Sequence, residues 1–253
     1  MEIFVVPDAA ATGAVAAGIM AAVLRSKPDA VLGVATGGSP LPVYAALAGH
    51  RLDMSSARAF ALDEYVGLPA GHPQSYGEVI RREVTERLGM DPLNVHVPKG
   101  SAADPERAAA DYDAAIRAAG GIDLQLLGIG HNGHIAFNEP RSAFDSRTRV
   151  ETLADRTRQA NARYFASMDE VPARCITQGL GTILEARHLL MVVAGADKAD
   201  ILARALHGEV SPECPGSALQ LHPHVTVVAD EAAAAQLHPV GGHVSVRVAA
   251  PTA

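Results

Sequence analysis

Short apolar runs rich in β-branched residues recur along this chain, and between them lie stretches long enough for a helix. This alternation constrains the fold more than any other feature. Parallel strands need crossovers, so strand–helix–strand repeats build a sheet whose two faces are both covered by helices. Strands are expected at Ile3–Val6, Ala30–Ala35, Ala59–Leu62, Asn94–Val97, Ile122–Ile129, Leu189–Ala194, Val225–Ala229 and Val244–Val248. Helices are expected from Asp8 to Leu24, Pro40 to Leu47, Gln74 to Leu88, Pro105 to Ala118, Asp155 to Phe165, Ile176 to Ala186, Asp197 to Leu206 and Glu231 to Leu237. Asp8 and Asp104 stand where N-caps belong, and Ser39 reads as a cap with Pro40 as the first helical residue. The fold class is therefore α/β: a three-layer, doubly wound, mostly parallel sheet with helices on both faces, Rossmann-like in kind. No repeat, charge block or long linker divides the chain, so residues 1–253 read as a single domain.

Composition narrows the ligand classes. The formal net charge of −7 disfavours nonspecific binding to nucleic acid or to a membrane. An anionic ligand must be met by cations gathered locally. The opening MEIFVVPDAA has no basic flank and is broken by Pro7 and Asp8, so no signal peptide is expected. No run of about 20 residues is free enough of polar interruption to span a bilayer. The expected location is cytoplasmic, which suits Cys175 and Cys214 as buried free thiols rather than a disulfide.

Ligands of such sheets bind beyond the carboxyl ends of the strands, and three motifs fall there. Thr36-Gly37-Gly38-Ser39 lies between a buried strand and a helix. Its glycines let backbone N–H groups approach an anion, and the helix start adds positive partial charge. The pattern is neither a Walker loop nor a dinucleotide fingerprint, so a single phosphate fits better than NAD or ATP. A tight turn with no ligand is the alternative. Asp63-Glu64-Tyr65 sets two adjacent carboxylates at a strand end, where one could be a general base on a carbon acid and the alternative is loop capping. Gly128–Pro140 gathers His131, Asn132, His134, Asn138 and Glu139 with three glycines, a density that packing does not require. The His131/His134 spacing lacks a third ligand, so no metal is expected, and a His with a nearby carboxylate suits proton transfer near neutral pH. His222 and His224 read as surface or supporting residues.

The run Gly133–Pro140 closely resembles the signature of glucosamine-6-phosphate deaminases. So do Leu62–Pro69, His72–Tyr76, Ser146–Arg149, Asn161–Phe165, Gly179–Leu184 and Leu219–Pro223, in the same order and over most of the chain. The resemblance implies a cofactor-free, hydrolytic aldose–ketose isomerisation in amino-sugar catabolism, taking glucosamine 6-phosphate to fructose 6-phosphate and ammonia. It implies that His134 opens the pyranose ring with Glu139 orienting it. Asp63 carries the C2 proton to C1, and Thr36, Gly37, Gly38, Ser39, Arg163 and Lys198 hold the phosphate. Asn132 stands where some members carry Asp. An amide there would orient the imidazole without stabilising its cation. Glu151 stands where the allosteric type carries Lys, which predicts weak or absent activation by N-acetylglucosamine 6-phosphate; a homo-oligomer stays open. The alternatives are a 6-phosphogluconolactonase, a galactosamine-6-phosphate deaminase, and a noncatalytic sugar-phosphate sensor. The last would need a helix-turn-helix, for which no room is expected before Ile3 or after Val248.

Overall fold

The computed structural model of the chain describes residues 1–69, 71–237 and 245–248. In chain order the elements are β1 (Glu2–Val6), α1 (Ala9–Ser26), β2 (Val31–Val34), α2 (Leu41–Gly49), β3 (Arg58–Ala61) and β4 (Asp63–Tyr65). There follow α3 (Tyr76–Ile80), β5 (Val95–His96), α4 (Pro105–Ala118), β6 (Leu124–Leu127), β7 (Arg149–Thr152) and α5 (Asp155–Asn161). The chain continues through β8 (Arg174–Thr177), α6 (Leu180–Leu184), β9 (Leu189–Val193), α7 (Ala199–His207), β10 (Val225–Asp230) and β11 (Ser245–Val248). Asp8 caps α1 by accepting from the Ala11 amide at 2.8 Å. Asp104 caps α4 in the same way from Arg107 at 2.9 Å, with Pro105 at the first position.

Eight strands form one sheet in the order β11-β1-β10-β9-β6-β2-β3-β5, and every pairing in it is parallel. Side chains alternate between its two faces, and both faces are dry. On β9, Leu189, Met191 and Val193 enter one core with Tyr112 and Ile116 of α4, Ile183 of α6 and Leu202 of α7. Leu190 and Val192 enter the other with Met20 of α1 and Tyr44 of α2. By length and hydropathy α1 passes as a bilayer-crossing helix, although the amino-acid pattern promised no such segment. Its Ala16, Ala17, Met20, Ala21 and Leu24 are buried in the core instead.

Several expectations need correction. The stretch 176–186 is not one helix: Arg174–Thr177 is a strand and α6 begins only at Leu180. Cys175, Ile176 and Thr177 are fully buried between two neighbours, an environment that favours extended, β-branched chain over helix. Those neighbours, β4 and β7, form with β8 an antiparallel sheet in the order β4-β8-β7 that the reading missed. Residues 231–236 are turns, and no helix forms over 231–237. The helix expected over 74–88 begins at Tyr76 and widens into a π-helix at Arg81–Glu86. Ser39 does not cap α2, which starts at Leu41 with no side-chain cap. Val244 lies outside the described residues, and the final strand spans Ser245–Val248.

Candidate active site

The strand order sets where the site falls. From β2 the chain moves outward through β3 and β5, whereas from β6 it moves the other way through β9 and β10. The loops after β2 and β6 therefore part over the middle of the sheet and leave a crevice at its carboxyl edge. A cleft of 390 Å³ opens there, lined from the loops following β2, β3, β6 and β9 and from α5. That volume is in the range of small-molecule sites, about 300–1,000 Å³.

One wall is the turn Thr36–Ser39. Gly37 sits at φ +93°, a conformation that a side chain would strain. With no capping duty, Ser39 keeps its hydroxyl for the cleft. Arg163 and Lys198 line the same cleft, joined by Arg156, which motif reasoning did not single out. Lys198 Nζ donates to the Ile129 carbonyl at 3.0 Å.

The two adjacent carboxylates part company because β4 is a strand, and successive side chains of a strand face opposite ways. Asp63 lines the cleft, and no described residue hydrogen-bonds its carboxylate. Burial, reinforced by the Glu64 charge, pushes its pKa up to about 8. Glu64 points into the chain: it accepts from the amides of Tyr65, Tyr76 and Gly77 at 2.7, 2.9 and 2.7 Å. It thereby pins the start of α3 and sets Tyr76 in the cleft wall. Of the pair, only Asp63 is free to meet a ligand.

The third wall is the loop after β6. The His134 ring rests directly on Gly130, where a Cβ would stand 2.2 Å from the ring. Gly133, at φ +88°, closes the turn against Cys214, whose Sγ would lie 2.7 Å from a Cβ. Burial lowers the His134 pKa, while the Glu139 charge works against that shift. Among the described residues the ring Nδ1 has no hydrogen-bond partner, and Glu139 Oε2 stands 3.8 Å away. Glu139 is held from both sides: the Asn132 amide donates to Oε2 at 2.6 Å and the Thr157 hydroxyl donates to Oε1. Asn132 also accepts from the His134 backbone N–H at 3.2 Å. These two hydrogen bonds fix the carboxylate and the loop, and neither of them reaches the imidazole ring itself. A neutral imidazole beside a fixed carboxylate can pass a proton between two ligand oxygens, and such contacts commonly tighten when a ligand binds. Gly130→Ala should displace the ring and cut kcat/KM about a hundredfold, the scale of a misplaced acid–base group, with little change in inorganic phosphate affinity. Steady-state kinetics and phosphate titration check this.

The structure therefore brings Thr36, Gly37, Gly38, Ser39, Asp63, Asn132, His134, Arg163 and Lys198 to one cleft, with Glu139 directly behind. Thr157 escaped the reading because nothing in its neighbourhood marks a hydroxyl that supports a carboxylate. Tyr76 lay inside a quoted segment, yet only the Glu64 contacts reveal what aims it. Asn138 is fully buried and structural, bridging Ile135, Gln178 and Arg149. Arg147 is spent on Asp113 and Glu185, and Arg149 on Asn138, Ser142 and Glu151. His222 and His224 precede β10, at the opposite end of the sheet, where His224 stacks on His188 at 3.7 Å.

Residues 8–228 match the family model of glucosamine-6-phosphate isomerases/6-phosphogluconolactonase. The chain is 56% identical over 241 residues to a glucosamine-6-phosphate deaminase of Arthrobacter sp. (strain FB24), covering 94% of this chain and 93% of that protein. It is 56% identical over 242 residues to the enzyme of that name from Streptomyces coelicolor, with 94% and 93% covered. A solved monomeric glucosamine-6-phosphate deaminase superposes with a TM-score of 0.90 at 40% identity, over 93% of this chain and all of that one. The 6-phosphogluconolactonase of Thermotoga maritima matches at 0.73 with 22% identity over 91% and 99%, which is likeness of fold.

Proposed function

This chain belongs to the glucosamine-6-phosphate isomerase/6-phosphogluconolactonase family, and from that premise we propose that it converts glucosamine 6-phosphate and water to fructose 6-phosphate and ammonia. The observation that carries the reading is the shared cleft: an anion turn with cations at one end, and a high-pKa carboxylate and a neutral imidazole among the remaining walls.

The sugar phosphate enters with its phosphate against Thr36, Gly37, Gly38 and Ser39, where Arg163 and Lys198 supply charge-assisted contacts worth about 1.5–3 kcal/mol each. These anchor the end that does not react, so that chemistry at the other end proceeds as within one molecule. His134 takes the C1 hydroxyl proton and delivers one to the ring oxygen, and Glu139 steadies the ring while it is charged. Asp63 removes the C2 proton of the open chain, giving an enolamine, and returns it to C1. Water then adds at C2 and the C–N bond breaks, so the overall step is hydrolytic. Tyr76 and Phe137 wall the reacting end with apolar surface that limits water.

Two features favour the deaminase over the lactonase: identity to named deaminases is 56%, against 22% for the lactonase fold match, and a lactone hydrolysis needs no carbon-acid base such as Asp63. The proposed location is cytoplasmic, in keeping with Cys175 and Cys214 as buried free thiols. The test is a coupled ammonia assay with glucosamine 6-phosphate, its galacto epimer and 6-phosphogluconolactone. Ammonia from the gluco sugar supports the reading, and lactone hydrolysis without ammonia overturns it. With Arg147 and Arg149 both committed to neighbours, N-acetylglucosamine 6-phosphate should leave the saturation curve hyperbolic and its midpoint within about twofold. Sigmoidal kinetics relieved by that compound would contradict this.

A further inference from the structure

Lys198 is held from two directions. Its Nζ donates to the Ile129 carbonyl at 3.0 Å and lies 3.3 Å from His131 Nδ1. The opposite ring nitrogen, Nε2, lies 2.6 Å from Asp197 Oδ2. An ammonium can only donate and a carboxylate can only accept, so these contacts select one tautomer: Nε2 carries the proton toward Asp197, and Nδ1 accepts from Lys198. An ammonium has three N–H bonds, and two are now placed, which leaves the third for the cleft that Lys198 lines.

Asp197 is itself built into position. It follows Gly195, whose φ of +100° and amide hydrogen bonds to Asp230 set the turn after β9. A Cβ on Gly195 would stand 2.6 Å from Asp197 Oδ1, so the carboxylate lies over the face of Gly195 that carries no side chain. The arrangement also separates charges. Asp197 is the immediate neighbour of Lys198 and would otherwise be free to pair with it, drawing the ammonium away from an incoming anion. Partial burial lowers the Lys198 pKa, and the charge of Asp197, held at a distance by His131, works against that shift.

We propose that His131, backed by Asp197, is a positioning residue for anion binding: it keeps the carboxylate off Lys198 and aims the third N–H of Lys198 at the phosphate of the substrate. This rests on the reading of the cleft as a sugar-phosphate site and deepens it. Neither His131 nor Asp197 touches the reacting carbons in this account, so losing them should weaken grip on the phosphate rather than slow the chemistry.

The test pairs two variants with two readouts. His131→Ala and Asp197→Asn should each raise KM for glucosamine 6-phosphate about tenfold, on the scale of one disordered charge-assisted contact, while kcat falls far less. The ratio of kcat/KM for glucosamine 6-phosphate to that for unphosphorylated glucosamine should fall with it, because only the first sugar uses Lys198. His131→Gln, whose amide can both donate and accept, should lie closer to the parent than His131→Ala. Independently of catalysis, inorganic phosphate titrated into the free protein by calorimetry should bind at least threefold more weakly to both variants. A phosphate affinity changed by less than threefold, or a loss falling on kcat with KM unmoved, would overturn the proposal. If the parent binds phosphate but releases no ammonia from the amino sugar, the functional reading fails while the phosphate titration still decides the role of His131.

Discussion

Asp63→Asn is expected to lower kcat by about a thousandfold or more while making the protein more stable. Both effects come from one carboxylate held in the wrong solvent. Asp63 is buried beside Glu64 with no hydrogen bond from any described residue, and its pKa rises from the ordinary 3.8 to about 8. A base with so raised a pKa is well matched to a carbon-bound proton, and its removal forfeits general-base catalysis worth roughly 10²–10⁴ at the step proposed for it. The unfolded chain loses this proton near 3.8 and the folded chain only near 8. Between those values the folded state binds more protons, so stability declines as pH rises and the penalty is complete above pH 8. Asparagine carries no such penalty. The variant should therefore melt above the parent, with a difference that grows from pH 5 to pH 8.5 and amounts to at most about 6 kcal/mol. Inorganic phosphate affinity should stay within about twofold, since the anion turn and its cations are untouched. In the parent, kcat/KM should fall as pH drops below about 8, where Asp63 takes up its proton. Equal loss of phosphate binding and turnover, or a variant that melts lower, would mean that Asp63 supports the site rather than acts in it.

How far this was legible beforehand depended on whether a feature is local. The parallel sheet was readable because runs such as Ala30–Ala35 and Leu189–Ala194 must be buried on both faces, and the crossovers between them then follow. The walls of the cleft were readable because Thr36–Ser39, Asp63 and His134 stand at strand ends, where such sheets bind ligands. What stayed hidden depends on contacts across long stretches of chain. The β4-β8-β7 sheet pairs Asp63 with Thr177 and Thr177 with Arg149, and no periodicity within 174–177 announces it. That same sheet decides which of Asp63 and Glu64 faces the cleft, so the division of labour between adjacent carboxylates could not be read from their adjacency. Thr157 reaches Glu139 from a different element, and Asp197 reaches His131 across 66 positions.

His134→Gln should produce a different kind of defect, one that enzyme concentration exposes. In the proposed mechanism the imidazole serves only to open the pyranose ring, a reaction that sugars also undergo unaided in water. The variant should keep its anion clamp and Asp63, and so should still isomerise whatever open chain it meets. At low enzyme the rate should fall about a hundredfold, within the range for one acid–base group. As enzyme is added the rate should stop rising, because spontaneous ring opening then supplies the substrate; the parent should rise in proportion throughout. Glu139→Gln should show a milder form of the same plateau. Asn132 and Thr157 would still hold the side chain, but the group 3.8 Å from His134 Nδ1 would no longer offset the charge of a protonated ring. The ring is half-buried, and its Nδ1 lacks a hydrogen-bond partner among the described residues, so a glutamine of similar reach should fold with little loss of stability. A rate that stays proportional to His134→Gln concentration, merely scaled down, would place the imidazole in the later proton transfers beside Asp63 and remove it from ring opening.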